Sequence, residues 1–596
     1  MRNEKAGFDV KNSASTIGDR PLIFPSRLFY AFSANGADSF PAWGNAPGNR
    51  PGETSALKAR FISMLSSNAL SRAFSADAWW FDSSPGAMPQ ASHEDAPLAL
   101  KKHPPPKVKI KAAARGFTTL LLALLCLTLA QRALAVAGVD ATPSPAPAHE
   151  ISFTHPKETK LDNGLRVIVA ERPSLPLLAM ELIIRIGSEK DPNDRAGTAS
   201  LTGSLLTKGT EKMAAPEIAN AIESLGGTIF SSGVSDYSNA GVVVMSSKAE
   251  SALTILADIV LHPAFKQEEI DRLRRQSLDG LRVALQQPGS LACYVLGRVV
   301  YGDGEYGHAS GGTPETLPAI QRSDILNFYE NYYRPDNATL VFSGNVSFEQ
   351  GKEYAEKFFG SWKVNQTVPR PVSATAGTWK PTTVVVDMPE AGQASVSVTK
   401  PAIKRDSPDY YPGLVANAAL GNGFGSRLNR EIRIKRGLSY GARSSLDARR
   451  DTGAFTASAQ TKNESAAEVA TLLQAELKRF ATEPVQGDEL KSRQALLIGS
   501  YARSMETDLG FASHIAVLAV FNLPLDTLDK FIPSINAIMP NDVTAFTEKY
   551  LVAPSSLVVV GKASAFIEPL KKNSSETRVV PQSDLDLNRA DLVKAK

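Results

Sequence analysis

The stretch Arg195–Thr210 reads RAGTASLTGSLLTKGT and decides how this chain is understood. It follows the turn Asp191-Pro192-Asn193-Asp194 and closes at Lys208-Gly209-Thr210, so a short helix is expected between the two. Leu201, Leu205 and Leu206 can share one apolar face, and most of the other side chains are Ala, Gly, Ser and Thr.

Outward from this helix, an α+β pattern appears twice. Upstream, Thr159 to Val169 reads as a strand, an Asn-Gly turn and a second strand, and Leu178 to Ile186 as a third. Downstream come a helix over Pro216 to Leu225, strands at Thr228 to Phe230 and Ala240 to Ser246, and helices over Ala249 to Leu261 and Gln267 to Gln286. After a linker over 366–380, strands at Thr382 to Asp387 and Ala394 to Lys400 and a helix over Tyr410 to Leu420 repeat the outline. Helices over Glu464 to Phe480 and Gln486 to Leu509 echo the two long helices of the first half. A long-range repeat of this kind predicts a duplicated domain.

The frame Ala196-Gly197, Ala199 and Lys208-Gly209-Thr210 resembles, without a gap, the zinc helix of the pitrilysin/insulinase peptidases, the mitochondrial processing peptidase family. There a segment of the form A-G-x-A-H-x-x-E-H-x-L-x-K-G-T carries the inverted zinc motif. Two imidazoles four apart on a helix can grip one Zn²⁺, and the Glu before the second can hold the attacking water as general base. In this chain the first His falls on Ser200, the Glu on Gly203 and the second His on Ser204. A serine hydroxyl is a poor zinc ligand at neutral pH, and glycine has no side chain. Ser200 and Ser204 lie in no nucleophile pattern and read as small helix-packing residues. Matching Ser277-Leu278-Asp279-Gly280-Leu281 to the helix that carries the further Glu ligand puts that ligand on Gly280. Asp279 beside it is turned away by about 100°. The resemblance thus implies a metallopeptidase frame with no metal and no cofactor of its own.

GTPETLPAI from Gly312 to Ile320 and YENYYRPDNATLVFSGNV from Tyr329 to Val346 also resemble the family. So does Leu428 to Tyr440, LNREIRIKRGLSY, the family's second-half signature, in which an Arg and a Tyr seven apart face the active site. Gly437 is placed to end the helix Ser426 to Arg436, which puts Arg433 in its last turn and Tyr440 on the strand after it. A guanidinium fork and a phenol suit a substrate carbonyl or a developing oxyanion. Locally, Arg433 also suits the helix C-terminal dipole, and Tyr440 a core position. The Gly-rich turn Gly421-Asn422-Gly423-Phe424-Gly425 lacks the Lys-Ser/Thr ending of a nucleotide loop and reads as a hinge or substrate edge.

Composition bounds the rest. The 596 residues exceed one domain, and 43% hydrophobic content can fill two cores. A net charge of +4, with no basic block, makes no case for nucleic acid. Residues 1–106 show no sustained periodicity and are expected to be unstructured or a misannotated extension, with translation starting later. Residues 107–137 read as a signal peptide: Lys107, Lys109, Lys111 and Arg115, then an apolar run Phe117 to Ala130, then small-residue cleavage sites ending at Ala135 or Ala137. That run is too short for a stable membrane span. An uncleaved anchor is the alternative. Residues 138–157 form a linker, 158–365 and 381–571 the two peptidase-like domains, and 572–596 a disordered tail. Cys126 falls in the signal segment, so Cys293 is left without a disulfide partner and suits the core. His149, His155, His262, His308 and His514 form no helical pair.

By resemblance, each half is an antiparallel sheet flanked by helices, and the two homologous halves form a clam-like chamber for an unfolded peptide. The expectation is a zinc-less subunit of a heterodimeric metallopeptidase in a bacterial periplasm, without autonomous catalysis. A zinc-binding pitrilysin-type partner would supply metal and base, and this chain Arg433 and Tyr440. A non-catalytic structural or peptide-binding scaffold of the same fold is the rival.

Overall fold

The computed structural model describes residues 154–363, 374, 377–573 and 576–595. The extension 1–106, the expected signal peptide with Cys126, His149, most of the linker 138–157 and most of the linker 366–380 lie outside the described residues. No described helix is long and apolar enough to cross a membrane.

The first half opens with β1 (Lys157–Lys160) and β2 (Arg166–Glu171), joined at Gly164, whose φ of 94° suits only glycine at low cost. β3 (Leu177–Ile184) leads into α1 (Thr198–Leu205), followed by α2 (Ala215–Ser224), β4 (Thr228–Gly233) and β5 (Ser238–Met245). Helices α3 (Ala249–Leu261), α4 (Gln267–Leu285), α5 (Pro288–Tyr301) and α6 (Arg322–Tyr332) precede β6 (Ala338–Gly344) and α7 (Phe348–Phe359). The strands form one six-stranded sheet in the order β1-β2-β6-β3-β5-β4.

The second half contains β7 (Thr383–Asp387), β8 (Ala394–Pro401), α8 (Tyr410–Leu420), β9 (Ala442–Ala448) and β10 (Gly453–Thr461). Then follow α9 (Ala466–Thr482), α10 (Gly487–Ser504), α11 (Asp508–Val520), α12 (Thr527–Ala537), α13 (Pro540–Tyr550), β11 (Ser556–Gly561), α14 (Ile567–Asn573) and β12 (Thr577–Pro581). Their sheet runs β12-β7-β11-β8-β10-β9. Apart from the outermost strand, this is the first sheet's order repeated, so the duplication holds at the level of topology.

Three expectations need correction. The sheets are mixed, not antiparallel: β2 runs parallel to β6, and β7 parallel to β11. The chain between each pair is long enough for the crossover that parallel strands require. The tail 572–596 is not a disordered segment over its described part. Residues 577–581 add β12 to the edge of the second sheet, parallel to β7, and Leu585, Leu587 and Leu592 are buried against α5. Polar composition hid this, because edge pairing uses backbone groups rather than side chains. The helix expected over Gln486 to Leu509 breaks at residues 505–507, where the Thr507 hydroxyl accepts the Gly510 amide at 3.0 Å and starts α11.

That break matters for packing. Along β3, Leu178, Met180, Leu182 and Ile184 join the core shared with α1, α3 and α6, while the alternate face carries Ala179, Glu181 and Ile183. α11 covers this second face, with Ala516 and Val520 on Ile183. Reciprocally, α5 of the first half packs on β8 and β11 of the second. Each half thus lends the other one apolar helix.

Candidate functional site

α1 is held at its start by Asp191, whose carboxylate accepts the Gly197 amide at 2.8 Å and the Ala199 amide at 2.9 Å. Two of the orphan donors of a helix N-terminus are satisfied in this way. Burial pushes the Asp191 carboxyl well above the usual carboxylate range, against the pull of those amides. Gly197 has φ 101° and abuts Gly312, and the Thr316 hydroxyl donates to the Ala196 carbonyl at 2.8 Å. The 312–320 segment therefore buttresses the first turn of α1.

The four vacated positions can now be placed. Ser200 and Ser204 are half-buried on α1, and Gly280 is half-buried on α4, which packs against α1. Asp279 is exposed and paired with Arg282 at 2.9 Å. Gly203 is buried where α1 crosses β4: a Cβ there would lie 2.5 Å from the Gly233 nitrogen and 2.6 Å from the Ser232 carbonyl oxygen. Gly233 in turn abuts the backbone of Ala199. The position of the general base is therefore filled by strand backbone. Zinc does not fit this donor set, because the two hydroxyls are neutral and neither glycine position offers a ligand. Among the described residues no group of three or more His, Cys, Asp or Glu is arranged to hold a metal ion.

Three of the four described histidines have side-chain partners, the exposed His155 through Asp529 at 3.0 Å. His308 contacts the Ser188 carbonyl through Nε2 at 2.6 Å, and His514 contacts the Ser504 hydroxyl at 2.7 Å. Burial lowers both to about 4, so they are neutral at physiological pH. Cys293 is half-buried, and desolvation pushes its thiol up, which keeps it protonated.

In the second half, Arg433 and Tyr440 do come together. The helix that bears Arg433 departs from α geometry: residues Asn429–Ile434 have π-helical bonding, with the Lys435 amide donating to the Arg430 carbonyl at 2.9 Å. Such π turns recur at functional sites. Gly437, φ 63°, ends the segment as expected, with the Leu438 amide reaching the Ile432 carbonyl at 3.0 Å. Tyr440 sits two residues before β9 rather than on a strand. It is 50% exposed, not a core residue. The Arg433 guanidinium lies 4.4 Å from the Tyr440 ring centre and 4.9 Å from that of Phe424, on the Gly-rich turn.

One cluster was not foreseen from the sequence. Arg450, in the β9–β10 turn, reaches into the first half. It bonds the buried Glu189 at 2.7 Å and the Arg185 carbonyl at 3.2 Å, and its amide donates to Asp236 at 3.2 Å. The Tyr306 hydroxyl donates to the other Asp236 oxygen at 2.5 Å. Burial raises both carboxyls, while the guanidinium between them stays charged. The adjacent charges Arg449-Arg450-Asp451 in a hairpin turn were the available signal.

A duplicated α+β fold whose first half keeps the form of a zinc helix without its ligands defines a peptidase-like protein. Comparison with known proteins makes this specific. Residues 166–292 match the insulinase (peptidase family M16) domain, and residues 319–497 match the peptidase M16 inactive domain. The chain belongs to the M16 (pitrilysin/insulinase) peptidase family. It is 24% identical over 410 residues to the uncharacterized zinc protease YmxG of Bacillus subtilis, covering 67% of this chain and 98% of that one. An uncharacterized zinc protease of Streptomyces coelicolor is 25% identical over 411 residues, covering 68% and 89%. Among solved structures, the M16 inactive domain protein of Pseudomonas fluorescens superposes with a TM-score of 0.64 at 27% identity, covering 68% of this chain and 98% of that one. A Helicobacter pylori protease shares the fold, with a TM-score of 0.65 at 19% identity, covering 69% and 100%.

Proposed function

We propose that this chain is the zinc-less subunit of a heterodimeric M16 metallopeptidase working in a bacterial periplasm. It supplies half of a peptide chamber together with Arg433 and Tyr440, and a zinc-bearing partner supplies metal and general base. The observation that carries this reading is the pairing of a closed base position with a half-buried Arg433 stacked on the exposed Tyr440. Gly203 has no room for a carboxylate, whereas Tyr440 is 50% exposed and the Arg433 side chain bonds to no described acceptor. A planar fork and a phenol there can donate to a peptide carbonyl and, more strongly, to the oxyanion that forms when water attacks it.

The test is affinity capture of this chain from its host, followed by assay of the purified pair on a peptide. Arg433→Ala or Tyr440→Phe should leave assembly and the partner's zinc intact but lower turnover at least roughly tenfold, mostly in kcat. Ser200→Ala should be nearly silent. Equal activity in all variants, at matched concentration of the pair, defeats the reading and leaves a scaffold.

A further inference from the structure

Arg433 has no acceptor among the described residues. Glu431, the nearest carboxylate in sequence, is taken by Lys435 at 2.8 Å and by Arg436. Two rings flank the guanidinium instead, and the one on the Gly-rich turn, Phe424, is 64% exposed. This exposure is built into the turn. Gly423 has φ 102°, its carbonyl accepts the Asn429 amide group at 3.0 Å, and the Gly425 carbonyl accepts Arg493 at 2.6 Å. Leu496, itself partly exposed, borders Gly423.

A guanidinium stacked on aromatic faces has its plane fixed, which lowers the ordering cost of binding through its free N–H edge. A neutral carbonyl uses that edge poorly, whereas a carboxylate takes two parallel N–H bonds from it with charge assistance. The apolar contact lies close by, since the Phe424 ring centre is 4.9 Å from the guanidinium carbon. A peptide's last residue carries its carboxylate and its side chain on one Cα, matching two contacts that close. An internal Asp or Glu puts the carboxylate at the side-chain tip, with no apolar group of its own beside it.

We propose that Phe424, Arg433 and Tyr440 form a subsite for the free C-terminal carboxylate of a peptide ending in an apolar residue. Arg433 forks to the carboxylate, the Tyr440 hydroxyl adds a donor, and the exposed Phe424 ring selects the side chain. This rests on Arg433 and Tyr440 being peptide contacts, and gives them a second ligand, a peptide's terminal carboxylate in place of a carbonyl along its chain.

The test is fluorescence anisotropy on the purified chain with a fluorescein-labelled Gly/Ser decapeptide ending in Leu-Phe, as free acid and as C-terminal amide. The acid is expected to bind saturably and the amide at least roughly tenfold more weakly. Arg433→Met should bind both equally weakly. Phe424→Ala should keep the preference for acid over amide but lose the preference for a final Phe over a final Ala. Melting curves identify any variant that fails to fold, and Arg433→Lys then serves as a milder second variant with a reduced acid-over-amide ratio. Equal binding of acid and amide, discrimination that survives Arg433→Met, or no saturable binding overturns the proposal. Activity of the zinc-bearing pair that still depends on Arg433 would leave the subunit reading standing in that case, so the two can fail separately.

Discussion

Replacing Gly203 by alanine tests whether the base position is closed by the fold rather than simply empty. In a helix interior, Gly to Ala ordinarily stabilises by about 1 kcal/mol. At Gly203 the new methyl would sit 2.5 Å from the Gly233 nitrogen and 2.6 Å from the Ser232 oxygen, roughly 1 Å inside ordinary contact. Strand backbone cannot swing aside as a side-chain tip can, so α1 must lift from β4. Overpacking of this kind costs about 1–3 kcal/mol, of which the helix preference offsets at most about 1. Because the clash is with rigid backbone, the upper end of that range applies, and the expected net loss is about 2 kcal/mol. Gly499 is the matched control: it lies inside α10 with open space where a Cβ would go. There the same change should stabilise by about 0.5–1 kcal/mol. Urea unfolding followed by circular dichroism, compared at equal slopes, should move the two midpoints in opposite directions. A Gly203→Ala midpoint at or above that of the parent chain refutes the closure.

Glu181 is fully buried, accepts from Asn239 at 2.8 Å, and has its carboxyl raised to about 7 by burial with no cation beside it. Between an unfolded value of about 4.3 and the folded one, the native state holds the extra proton, so this residue's contribution to stability falls as pH rises through that window. Glu181→Gln should flatten the profile and be the more stable form at about pH 8, as read from unfolding midpoints; an unchanged slope would rule this out. Arg450→Ala strips the buried Glu189 of its 2.7 Å partner, so it should cost about 3 kcal/mol or more. It should also speed proteolytic nicking of the β9–β10 turn, and unaltered melting and proteolysis would show that the clasp bears no weight.

How much of this was legible in the sequence depended on the kind of signal. α3 and α8 were placed to the residue, because apolar periodicity ran up to a clear stop. Arg433 and Tyr440 were singled out by resemblance to the family's second-half signature, and local spacing supplied only the helix end at Gly437, whose positive φ does terminate the helix. Phe424 was not, because a phenylalanine on a Gly-rich turn gives no sign of the cation it will stack on. The exchange of α5 and α11 between halves was also hidden. α11 is buried along nearly all its length, so its pattern names no single partner face. The contact of Gly203 with Gly233 joins residues thirty apart whose only mark is the lack of a side chain. β12 escaped because only Val580 of its five residues is buried.

The frame of the zinc helix survives without its chemistry for a reason found in the backbone. Ala196 offers its carbonyl to Thr316, Gly197 holds φ 101° against Gly312, and Ala199 offers its amide to Asp191. Gly209 holds φ 139°, and the Thr210 hydroxyl accepts the Lys212 and Met213 amides at 3.1 and 2.9 Å. Each of these residues has a task in folding, whereas positions 200, 203 and 204, where the family resemblance expects ligands and base, carry only Ser, Gly and Ser. The same accounting applied to the second half gives the opposite answer. Gly437 has a folding task, but Arg433 bonds to no described acceptor through its side chain and Tyr440 is half in solvent. Arg450 and Asp191 bond to partners inside the fold, whereas the half-buried Arg433 meets only the two rings. Their stacking on each other and on Phe424 leaves the Arg433 N–H groups without a described acceptor, which is why a peptide ligand is proposed for them.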